Sequence, residues 1–308
     1  MNHSSSPDNY PLVDRRKFIA NSLLTAGALL TMPVMNKATG MNKINKTYTV
    51  GEIMDLFIKD VPGGALTNTV DTLKAGDRDM KVTGIVTTMF ATIEVIRKAI
   101  DLGANFIIAH EPTFYNHTDD TSWLQNDDVY QYKATLLKQH NIAVWRNHDY
   151  IHSLVPDGVT MGVLEQLQWK KYAGHDVPNI ITLPATTLKD LISHLKEKLS
   201  IEKVRYIGDL AQSCSHLLLM PGAAGGRRQI ESIGKVKPDV LICGEISEWE
   251  TAEYVRDARA KGDNISLVIL GHIASEEPGS AFMLNWLKEK VPTITSTHIP
   301  PGNSLSFL

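Results

Sequence analysis

From Tyr48 onward, short apolar β-branched runs alternate with longer stretches of helical period, and this alternation restricts the fold more than any other feature of the chain. The spacing predicts strands over 81–87, 105–109, 142–145, 179–183, 204–207, 216–220, 240–242, 267–270 and 293–297. Between them it predicts helices over 129–139, 188–199, 225–233, 247–260 and 275–290. Thr49 and Glu52 have the spacing of a capping box and open a helix to about Lys59. Thr92 opens another, with Val95, Ile96, Ala99 and Ile100 on one face and Gly103 at its end. Such a βα rhythm means an α/β fold of parallel or mixed sheets covered by helices. Two related halves are expected, residues 49–155 and 156–308, joined near Val155 to Gln168.

The first residues do not share this pattern. Arg15, Arg16 and Lys17 precede an uncharged run from Ile19 to Met35 that is interrupted by Asn21, Ser22, Gly27 and Pro33. A spanning helix needs about 20 apolar residues, so this run reads instead as the core of a signal peptide, with an uncleaved N-terminal anchor or a merely apolar tail as the alternative. The paired arginines resemble a twin-arginine export signal over 1–38, followed by a linker over 39–48. The expected location is the periplasm or another extracytoplasmic compartment, with no stable membrane insertion once the signal is removed. The whole chain carries 31 Lys and Arg against 34 Asp and Glu, too balanced for a nucleic-acid face. Cys214 and Cys243 are expected at opposite edges of a sheet rather than in a disulfide.

In open α/β sheets, ligands bind beyond the carboxyl ends of the strands. His110 and Glu111 follow the run ending at Ala109, and His148, Asp149 and His152 follow Trp145. Glu245 follows Cys243, and His272 and Glu276 follow Leu270. Imidazoles and carboxylates suit Zn, Mn, Fe or Co, and residues 272 and 276 share a helix face. One such strand end is ordinary; the convergence of several is a metal-site signal. Pro221 to Arg228 is a glycine-rich turn that opens a helix and suits either an anion or a plain tight turn. Tyr115, Trp123 and Tyr130 are candidates for a pocket rim, with packing as the alternative.

The segments Ile107-Ile108-Ala109-His110-Glu111-Pro112, His148 to His152, Asp239 to Glu245 and Gly271-His272-Ile273-Ala274-Ser275-Glu276 resemble the NIF-three-like dinuclear-metal family, also called GTP cyclohydrolase I type 2-like. The resemblance implies two similar three-layer α/β halves with two divalent transition-metal ions in the cleft between them. It also implies a homo-oligomer, typically a hexamer. Carried over by position, the metal ligands are His110, Glu111, His148, His152, His272 and Glu276. Glu111 stands where the family usually has His, and His152 where it has Asp. The inventory stays at four imidazoles and two carboxylates, and Glu111 or Asp149 is expected to replace the bridging Asp. Glu245 and Asp149 are the candidate proton-handling carboxylates. The resulting expectation is an exported metal-dependent hydrolase of an unidentified small molecule. A non-catalytic metal-binding assembly or sequestration protein, and a GTP cyclohydrolase-like activity, are the alternatives.

Overall fold

The computed structural model describes residues 46–306 and 308; the expected signal peptide and all of its linker but the last residues lie outside them. The chain runs α1 (Val50–Asp60), β1 (Leu73–Ala75), β2 (Ile85–Thr88), α2 (Ile93–Asp101), β3 (Phe106–Ala109), α3 (Asp128–Gln139), β4 (Ala143–Arg146), α4 (Asp149–His152) and α5 (Gly158–Gln166). It continues with β5 (Ile180–Thr187), α6 (Leu188–Leu199), β6 (Arg205–Ile207), β7 (Ser213–Met220), α7 (Gly226–Val236), β8 (Val240–Cys243), α8 (Glu253–Lys261), β9 (Ser266–Ile269), α9 (His272–Lys290) and β10 (Ser296–His298). The Thr49–Glu52 capping box forms, and the Thr92 hydroxyl accepts from the Val95 N–H.

Two mixed five-stranded sheets result, ordered β1-β4-β3-β2-β10 and β5-β7-β8-β9-β6. In the first, β10, β2, β3 and β4 are parallel and β1 is antiparallel. In the second, β7, β8 and β9 are parallel between the antiparallel edges β5 and β6. The period of two along each strand divides the apolar residues between faces. Phe106, Ile108 and Trp145 of the first sheet share one core with Leu217, Leu219, Ile242 and Val268 of the second. Helices α1, α5, α6 and α9 contribute to that same core. The opposite faces are covered by α2 and α3 on one sheet and by α7 and α8 on the other.

Helices α5 and α9 cross at very short range, which requires glycine. A Cβ on Gly162 would sit 2.3 Å from the Pro278 carbonyl oxygen, and one on Gly279 would sit 2.9 Å from the Val159 side chain. Pro278 lies inside α9, two residues beyond Glu276. Among the described residues, no helix is long and apolar enough to cross a membrane.

Several elements differ from the sequence expectation. The strand expected over 81–87 starts only at Ile85, with Lys81 reduced to a single bridge to Thr49. The segment expected to join the halves folds as α5, whose burial on nearly every side hides the helical period. The helix expected over 247–260 begins with a π-helical turn, Glu248–Ala252, before α8. β1 is too short to show a pattern and rests on pairing with β4. Cys214 and Cys243 are free and buried, at the start of β7 and the end of the neighbouring β8, and so at opposite strand-end edges of the sheet, as expected. Both thiols are pushed up by burial, to about 11 and about 12, so they are not reactive thiolates near neutral pH.

Phe57 of α1 is fully buried, edge-on to Trp145 of β4 at 5.9 Å and to Trp286 of α9 at 4.9 Å. Phe57→Ala is expected to lower unfolding stability by about 3–5 kcal/mol, read as a lower urea midpoint with unchanged slope.

Candidate metal centre

The carboxyl ends of β3, β4, β8 and β9 meet at one place. β3 delivers His110 and Glu111, β4 leads through Asn147 into His148 and α4, and β9 leads through Gly271 into the first turn of α9. All six expected ligands converge there. His272 Nε2 lies 3.1 Å from Glu111 Oε1 and 3.0 Å from Glu276 Oε2. His110 Nε2 lies 3.3 Å from Glu276 Oε2, His152 Nε2 lies 3.9 Å from Glu276 Oε1, and His148 Nε2 lies 3.9 Å from Glu111 Oε1. The rings of His110, His148 and His152 pack with centroids 4.8 to 5.1 Å apart.

Every one of these imidazoles is held by its other nitrogen. The Nδ1–H groups donate to the Asn147 carbonyl from His110 at 3.2 Å, to Asp149 from His148 at 2.9 Å, to Asp157 from His152 at 2.8 Å, and to Glu245 from His272 at 2.9 Å. This fixes ring orientation and turns each Nε2 inward, as metal-ligating histidines require. Asp149 and Glu245, expected to handle protons, are thus placed as partners of ligand histidines. Asp149 has both oxygens engaged, the second by the Thr69 hydroxyl and the Val70 N–H, whereas Glu245 is half exposed. Glu111 Oε2 is bound at 3.3 Å by Arg146, a fully buried guanidinium that also donates to the His117 carbonyl and lies 3.7 Å from Asp119. Glu276 faces His110 and His272 with Oε2 and His152 with Oε1, and Glu111 Oε1 faces both His272 and His148.

The electrostatics are those of a cation site. Burial alone would push Glu276 up, but His110 and His272 hold it far below the ordinary carboxylate range. Glu111 is lowered in the same way by His272, His110 and His148. Burial would push His272 down, yet Glu111 and Glu276 carry it up to about 11. Burial and the neighbouring His110 instead push His148 down to about 4, leaving it neutral. The buried His110 Nε2 has no hydrogen-bond partner. Imidazole nitrogens and carboxylate oxygens aimed at one point are the donor types that fit divalent transition-metal ions.

The surrounding loops are shaped for this. Gly222, at φ +65°, passes so close to Glu276 that a Cβ would sit 2.1 Å from its Oε1. The buried Ser275 hydroxyl accepts from the Gly222 N–H at 3.0 Å and donates to the His272 carbonyl at 2.8 Å. The glycine-rich turn is therefore explained by packing on the ligands. At the start of α7 a Cβ on Gly226 would sit 2.2 Å from Glu250 Oε2, so a carboxylate of the chain itself already lies there.

Two supporting carboxylates were not legible as such. Asp71 accepts from the backbone N–H groups of His148 and Tyr150, and Asp157 combines its bond to His152 with the N-cap of α5. Only the Pro156-Asp157-Gly158 turn carried a local signal, that of a helix cap. Phe90 and His117 stand at the rim, their rings 6.4 Å from His272 and 6.3 Å from His148. Of the expected rim aromatics, Trp123 is exposed and Tyr130 lines a separate cavity of about 600 Å³ between β1 and α3.

A family model for Duf34/NIF3 (NGG1p interacting factor 3) matches residues 62–300. The chain belongs to that family. It is 28% identical over 222 residues to a "GTP cyclohydrolase 1 type 2 homolog" of Clostridium acetobutylicum, covering 68% of this chain and 78% of the relative. A protein of the same description from Clostridium perfringens is 25% identical over 229 residues, with 71% and 83% covered. The fold is shared with a Staphylococcus aureus protein, SA1388, at TM-score 0.67 and 20% identity over 85% of this chain and 100% of that one. A Bacillus cereus protein related to NIF3 matches at TM-score 0.67 and 17% identity, covering 85% and 99%.

Two outcomes are expected. Gly222→Ala displaces the Glu276 carboxylate and should weaken metal retention by about 10–100-fold in competition with a chelator. Lys133 of α3, buried beneath Phe114 and Tyr115, donates to the Thr113 carbonyl at 2.6 Å and supports the loop that follows Glu111. Burial lowers Lys133 to about 8, against the pull of Asp119 and Glu94. Between pH 8 and the unfolded value near 10.5 the unfolded state binds the extra proton, so stability rises with pH across that window. Urea unfolding at pH 7.5 and 9.5 should show this rise in the wild type relative to Lys133→Met.

Proposed function

We propose that this protein is an exported metal-dependent hydrolase of a small molecule, built around a dinuclear centre and working as a homo-oligomer. The observation that carries the reading is the inward convergence of His110, His148, His152 and His272 with Glu111 and Glu276, each imidazole fixed from behind. These six residues would hold the ions. When bound, a pair of divalent ions supplies Lewis acidity, polarising the attacked group and making water nucleophilic near neutral pH.

The chain's own residues account for the rest. Asp149, Asp157 and the Asn147 carbonyl keep three rings oriented, so no reorganisation is needed as charge develops. Glu245 differs because its Oε1 bonds His272 while its side chain remains half exposed. It is placed to accept a proton from substrate or water at the mouth and to return it to the leaving group. Phe90 and His117 would border the substrate, and Arg146 holds Glu111 in place.

Export is supported by the paired arginines and uncharged run over residues 15–35. The description borne by the Clostridium relatives favours a second reading, opening of the guanine ring of GTP. A nucleoside triphosphate is a poor substrate outside the cytoplasm, which ranks that reading second.

Protein purified without chelators is expected to hold about two equivalents of transition metal per chain. Turnover of a phosphoester, amide or lactone panel should vanish in His110→Ala and His272→Ala with the circular dichroism unchanged. Metal without turnover of any panel member would identify a sequestration protein, and turnover confined to GTP would establish the second reading.

A further inference from the structure

The cavity of about 600 Å³ between β1 and α3 contains none of the six metal ligands, and the chemistry above does not use it. Leu73, Phe114, Tyr130 and Leu137 give it apolar walls, with the Phe114 and Tyr130 rings edge to face at 5.2 Å. A pocket of this size suits a small organic molecule, and such pockets combine apolar walls with a few placed polar groups. Two of the polar groups here are Lys74 of β1 and Asp119 of the segment after β3, whose side chains are 6% and 2% exposed.

Asp119 Oδ1 accepts from the Phe114 N–H at 2.7 Å, whereas its Oδ2 accepts no hydrogen bond among the described residues. Two cations stand beside that oxygen, Lys74 at 3.2 Å and Arg146 at 3.7 Å. Their hydrogen bonds go elsewhere. Lys74 donates to the Val70 carbonyl and the Thr72 hydroxyl, and Arg146 donates to the His110 and His117 carbonyls and to Glu111. Oδ2 therefore has compensating charge but no donor, and a buried acceptor in that state is costly. A third cation would be repelled by the two already there, and an anion by Asp119 itself. An uncharged O–H or N–H meets neither obstacle.

We infer that this cavity is a second binding site, which takes an uncharged, largely apolar small molecule whose hydroxyl or N–H donates to Asp119 Oδ2. The inference stands apart from the hydrolase reading, since none of the metal ligands enters it.

The test titrates the full chain, purified without chelators, with 4-methylphenol, toluene and 4-methylbenzylamine, read by ligand-observed nuclear magnetic resonance. 4-Methylphenol is expected to bind, with toluene and the amine each at least about tenfold weaker. Ala134 of α3 is half-buried and lines the cavity, so Ala134→Trp should fill it and abolish binding with metal content and circular dichroism unchanged. Asp119→Asn should erase the preference for 4-methylphenol over toluene, and Ala134→Trp keeps the test decisive should that variant fail to fold. His272→Ala should bind 4-methylphenol as the wild type does. No binding of 4-methylphenol, equal binding of toluene, undiminished binding in folded Ala134→Trp, or loss of binding in His272→Ala, which would put the probe at the metal centre, each overturns the inference.

Discussion

Two carboxylates, Glu111 and Glu276, are buried within reach of the same imidazole, and the rest of the site follows from that. Buried like charges are tolerated only with compensating cations and a full set of hydrogen bonds. The chain supplies Arg146 behind Glu111, while His110 and His272 sit in front of both. A further row of paired charges runs outward from Arg146 to Asp119 and on to Lys74, all nearly inaccessible to water. The guanidinium thus serves two roles, neutralising one oxygen of a ligand and pinning the loop that forms one wall of the mouth.

Those charges reach one another because two sheets are held against a common helical layer. Ligands from β3 and β4 belong to one sheet, and those at the start of α9 follow a strand of the other. The distance between the two groups is set by how closely α5 and α9 cross, which Gly162 and Gly279 permit. The same helix that carries His272 and Glu276 at its first turn carries Pro278 and Gly279 at the crossing, so packing and ligand placement are not separable. Gly222 adds a second constraint, leaving just enough room for the Glu276 carboxylate.

Much of this was legible in the sequence because it is local. Strand runs with β-branched residues, the Thr49 and Thr92 caps, and polar residues just past strand ends all carry short-range signals. Strand ends brought forward His110, Glu111, His148, Asp149, His152, Glu245, His272 and Glu276, and the family resemblance picked the six ligands among them. What was not legible depends on distant contacts. Asp71 and Asp157 look like ordinary turn residues until His148, Tyr150 and His152 are brought to them. Arg146 ends a strand and gives no sign that it will be fully buried against Glu111. α5 lacks a polar face because it is enclosed by the shared core, so no helical period appears. The glycine-rich turn before α7 suited an anion or a plain tight turn by composition, and the close approach of Gly222 to Glu276 decides for the steric reading.

The pairing of β10 with β2 bears on the order in which the fold is completed. Residues 296–298 lie parallel to 85–87, at the outer side of the first sheet. During synthesis, β2, β3 and β4 emerge long before their last neighbour, and β2 meanwhile presents an unpaired edge. That edge is closed only by a segment made after all of the second sheet. The first sheet is therefore complete only once residues 296–298 have been made, and the last strand of the chain ties its end back to one of the first.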